Sequence, residues 1–89
     1  MDVVSEVLEP QLFDISNLIE AIDCLKLKLD YIKKDFSNKD EIEKNDIRLE
    51  QIRTNLSISR INRILKKKIK EFNDSIIIYE YALKECNYE

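Results

Sequence analysis

The sequence predicts an all-α fold, either an antiparallel bundle of three helices or a long coiled-coil helical hairpin. Three observations carry that expectation. From Ile15 the apolar side chains Leu18, Ile22, Leu25, Leu29, Ile32 and Phe36 recur at steps of three and four, the a/d rhythm of packed helices. Glycine is absent and proline occurs once, so little in the chain forces a helix to stop. The charged fraction of 37% is well above the usual quarter, while 44% apolar residues still suffice for a core.

The elements follow in order within one helical domain spanning 1–89. Leu8 lies one heptad ahead of Ile15, and Pro10 fits a first helical turn, where its missing N–H costs nothing. A first helix is expected over 10–36, about 40 Å long. The run Ser37-Asn38-Lys39-Asp40-Glu41 is the clearest break, with either Ser37 and Asp40 or Asn38 and Glu41 as a capping pair. A second helix over 39–54 has Ile42, Leu49, Ile52 and Leu56 as its stripe, with Asn45 at the missing d position. Thr54 to Ser59 is poor in helix formers, so Ser57 or Ser59 is expected to cap a third helix over 58–87. The alternative is an unbroken second arm over 39–86. Three helices are favoured, because such an arm would overhang the first helix by about 20 residues.

The third helix repeats the rhythm with Ile58, Ile61, Leu65, Phe72, Ile76, Tyr79, Leu83 and Cys86. A second apolar set, Ile64, Ile69, Ile77, Ile78 and Tyr81, falls off that stripe. A helix that is apolar around most of its circumference is buried on more than one side. A small bundle offers too little interior for this surplus, which points to a partner at Phe72, Ile76, Ile77, Tyr79, Tyr81 and Leu83.

Composition excludes much chemistry. Without glycine there is no phosphate-cradling loop, dinucleotide fingerprint or nucleophile elbow. Without histidine there is no Ser-His or Cys-His pair and no usual zinc site. Cys24 and Cys86 are too few and too far apart for a disulfide scaffold. The expectation is no enzyme, no catalytic residue, no cofactor and no metal. A net charge of −3 and the lack of a leader or membrane span suggest a soluble cytoplasmic protein.

One charged segment stands apart. Arg60 to Lys70 holds Arg60, Arg63, Lys66, Lys67, Lys68 and Lys70 with no acidic residue, a stripe suited to phosphates or an acidic partner. The bland reading is plain solvation or internal pairing with Asp2, Glu6, Glu9 and Asp14 at the start of the first helix. Just upstream, Ile52-Arg-Thr-Asn-Leu56-Ser-Ile58-Ser59-Arg60 resembles the turn of a helix-turn-helix DNA reader, which implies DNA binding. It departs from that pattern at Arg53, Ser57 and Arg63, where a small residue, a glycine and an apolar residue are expected. Tyr81-Ala-Leu-Lys-Glu85 is similar to the Tyr-x-x-x-Glu spacing of small helical hairpins exported by type VII secretion, although the Trp-x-Gly turn of that family is missing.

The function expected from these residues is a non-enzymatic helical interaction module that self-associates or docks on a helical protein partner. Two alternatives stay open: a small nucleic-acid-binding regulator using the basic stripe 60–70, and a small exported helical hairpin or its chaperone.

Overall fold

The computed structural model describes residues 2–87, with side chains as far as Glu85, and the hairpin is the topology adopted. A π-helical turn, Val4–Leu8, leads directly into α1, Glu9–Lys33. A short 3-10 turn, Phe36–Asn38, then reverses the chain into α2, Glu41–Asn87. There is no strand among the described residues. The molecule measures 74 × 16 × 15 Å, and its radius of gyration is 20.5 Å. A compact chain of this length would have a radius near 12 Å, so this is a rod.

The expected break between a helix over 39–54 and another over 58–87 does not occur, since α2 runs 47 residues without interruption. Ser57 stays helical by donating its hydroxyl to the Arg53 carbonyl one turn back at 3.1 Å. The feared overhang is shortened from the other end. Helical winding begins upstream of 10–36, so Val3 and Val7 reach Ser75, Tyr79 and Ala82 of α2. Pro10 therefore sits inside a continuous helical path. The π turn accommodates it: the Glu9 N–H bonds the Val4 carbonyl five residues back, which widens the winding just before the proline ring.

The reversal is built without glycine. Asp35 takes the left-handed conformation (φ 57°, ψ 23°), which Asp and Asn tolerate better than other side chains. The cap of α2 is Asp40 rather than Ser37 or Asn38. Its Oδ1 accepts the Glu43 N–H at 2.8 Å, satisfying one of the first-turn donors. Lys44 and Arg48 of α2 place their cations 5.6 and 5.4 Å from the Phe36 ring centre, folding the turn against the helix.

The first-helix stripe does pack inward. Leu8, Ile15, Ile22 and Leu29 are its buried members, one per heptad, and Leu18, Leu25, Ile32 and Phe36 are half-buried. On α2 the inward stripe runs Ile47, Gln51, Thr54, Ile58, Ile61, Leu65, Lys68, Phe72, Ser75 and Tyr79. Four of those ten positions are polar, so the seam is thin. Lys28 donates to Glu50 across it at 2.6 Å, fixing the antiparallel register.

Candidate interaction surface

Continuity of α2 decides which residues point outward. Ile58, Ile61 and Leu65 fix its rotational phase, and that phase carried upstream turns Ile47, Gln51 and Thr54 towards α1. Leu56 precedes Ile58 by two residues, roughly half a turn of helix. The stripe Ile42, Leu49, Ile52 and Leu56, expected to be core, consequently faces away from α1, at 76, 46, 58 and 51% exposure. Asn45 lies on the same outward face and is exposed. A phase step of this kind would need a break between helices to bury both stripes, and the chain does not break.

The predicted partner residues divide. Phe72, Ile76 and Tyr79 are half-buried on the inward side of α2, Tyr79 beside Val3 and Val7, which precede α1. Ile77, Tyr81 and Leu83 are exposed, with Ile77 and Tyr81 on the outward side. Ile78 is also exposed, and it lines an open apolar hollow with Val3, Val7 and Tyr79. Cys86, placed on the same stripe from sequence, lies outside the residues whose side chains are described. The other cysteine, Cys24, is free and exposed.

The basic residues Arg60, Arg63, Lys66, Lys67 and Lys70 are all exposed, and none makes an ion pair within the described residues. Internal pairing with Asp2, Glu6, Glu9 and Asp14 is therefore corrected. The cations lie on the far side of α2, and Glu6 and Glu9 lie on the far side of α1. Only Lys68, on the inward stripe, has a partner, Glu71 on its own helix at 3.8 Å. The resemblance to a helix-turn-helix also fails in structure, because 52–60 is uninterrupted helix with no turn.

The hydrogen bond from Lys28, reinforced by its charge, holds the exposed Glu50 carboxyl below the usual glutamate range. At the chain start the Ser5 hydroxyl and amide hold Asp2 below the usual aspartate range. No described helix is long and apolar enough to cross a membrane. Among the described residues no three acidic or cysteine side chains converge as a metal site would require.

The arrangement offers two exposed apolar surfaces and one basic ridge on a stiff rod, which suits contact with another macromolecule. No known protein family matches the chain, and no curated protein or solved structure matches it, so the surface itself must carry any functional reading.

Proposed function

We propose that this chain is a non-enzymatic helical interaction module, acting by covering its exposed apolar faces against a copy of itself or a helical protein partner. The observation that carries this is the exposed area. A compact monomer of 10.6 kDa exposes about 5,500 Å², whereas this chain exposes 7197 Å². The surplus, about 1,700 Å², is about twice the ~800 Å² that one partner contributes to a standard protein–protein interface. It includes the Ile42, Leu49, Ile52 and Leu56 stripe, with Ile77, Tyr81 and Leu83 near the other end of α2. Contiguous apolar stripes of this length are uncommon on monomers and mark interfaces. Tyrosine suits such a place, burying its ring while its hydroxyl stays wet at the rim.

The test is a pair of double variants, Ile77→Lys with Tyr81→Glu and Leu49→Lys with Ile52→Glu. Both alter only outward residues, so helical content should hold. Lowered associated mass, or lost binding to a helical partner, in either variant supports the proposal. A wild-type chain that remains at 10.6 kDa in concentrated solution and retains no protein partner removes it.

A further inference from the structure

We infer that the partner is a second copy of this chain, joined edge to edge, with the outer face of α1 in one copy packed antiparallel on the outer face of α2 in the next. This rests on the interaction-module reading and supplies its partner. Two faces of one molecule are complementary in charge. From Glu6 to Tyr31 the side of α1 turned away from α2 carries Glu6, Glu9, Glu20, Asp23 and Asp30 and no basic residue. From Ile52 to Asn73 the side of α2 turned away from α1 carries Arg53, Arg60, Arg63, Lys66, Lys67 and Lys70 and no acidic residue. All eleven are exposed. Among the described residues only Arg53 of these has an ion-pair partner, Glu50, at 3.9 Å.

The register within the hairpin, fixed by Lys28 with Glu50 and by Val7 beside Ser75, can be repeated between copies. It sets Glu9 against Lys70 and Glu20 against Arg60 and brings Asp30 within a turn of Arg53; at the far end Glu6 meets the exposed Asp74, one like-charged pair that these three outweigh. It also matches the apolar residues: Leu27, 68% exposed, meets Ile52 and Leu56, and Tyr31, 73% exposed, meets Leu49. Phe13, 67% exposed, falls over the stems of Lys66 and Lys67. The matching of both charge and apolar character in one register is what selects a copy over an unrelated partner. Pairing α1 with α1, or α2 with α2, would instead oppose like charges. The two outer faces point in opposite directions, so the contact is heterologous and extends as a row of hairpins unless curvature closes it into a ring.

The test uses two charge-reversed full-length chains. One carries Glu9→Lys, Glu20→Lys and Asp23→Lys; the other carries Arg60→Glu, Arg63→Glu and Lys67→Glu. Sedimentation velocity of wild type should show association that weakens with rising salt. Each reversed chain alone should associate more than about tenfold more weakly, and a mixture of the two should regain the wild-type mass, since every opposed face is again complementary. Reversed chains that associate as wild type does would overturn edge pairing while leaving the apolar-face reading in place. A mixture that fails to recover overturns it too. So does a wild type that stays monomeric yet shifts a short DNA duplex through the basic ridge. Circular dichroism of each variant confirms that the helices persist.

Discussion

Thr54→Val should make the hairpin more stable. Thr54 is 3% exposed, the only buried polar side chain among the described residues, and its hydroxyl has no hydrogen-bond partner. It lies on the inward stripe of α2 between Gln51 and Ile58. A buried hydroxyl left unpaired costs about 1–3 kcal/mol relative to water. Valine keeps the branched shape and replaces the hydroxyl with a methyl, so most of that cost is recovered. For a domain of this size each kcal/mol moves Tm by about 4–8 °C, which places the expected rise at 4 °C or more. Thr54→Ser is the control: it keeps the hydroxyl, deletes one methyl and should cost about 1 kcal/mol. Urea unfolding followed by far-UV circular dichroism reads both. A valine variant no more stable than wild type would refute the reasoning, showing that the hydroxyl is already satisfied.

Other perturbations follow from the same seam. Ile22→Ala, at a position 6% exposed, should cost about 2–4 kcal/mol, whereas Ile42→Ala, at 76% exposure, should stay within about 0.5 kcal/mol when the chain is dilute; chemical denaturation separates them. Asp40→Ala removes the cap of α2 and should cost about 1 kcal/mol, recovered by Asp40→Ser. Because Lys28 lowers the folded-state pKa of Glu50, their bridge stabilises fully above the ordinary glutamate value of 4.5 and is lost as pH falls through the lowered value. Glu50→Gln should therefore lose less stability than wild type on acidification, read as Tm against pH; equal losses would mean that the bridge contributes nothing.

The all-helical class was legible because the stripe from Ile15 to Phe36 keeps one phase over three heptads, and those residues do face α2. What misled was the run of poor helix formers from Thr54 to Ser59 and the overhang of an unbroken arm, which hid a phase step. Ile42, Leu49, Ile52 and Leu56 are out of phase with Ile58, Ile61 and Leu65, and a chain that buries every apolar stripe must break between them. The actual helix keeps its backbone bonds through Thr54 to Ser59 and leaves the first stripe exposed. Intrinsic propensity is a weak prior beside an unbroken hydrogen-bond ladder. The start of the molecule was missed for a related reason. Pro10 reads as a first turn, and only the π winding of Val4–Leu8 lets helix precede it. The exposure of Ile77 and Tyr81 was readable from their spacing off the inward stripe, as was the surplus of apolar surface on the last part of α2. The basic ridge was readable as a run but not as unpaired, because the hairpin turns its acidic counterparts to the opposite edge.

The central claim is that a second copy of this chain covers the outward apolar residues. Hydroxyl-radical footprinting of the wild-type chain, read residue by residue from dilute to concentrated solution, tests it most directly. Oxidation of Tyr31, Leu49, Ile52 and Leu56 should fall as concentration rises, while Ile69, 40% exposed on the flank between the two edges, keeps its rate. Unchanged oxidation of all four apolar residues across that range would contradict it.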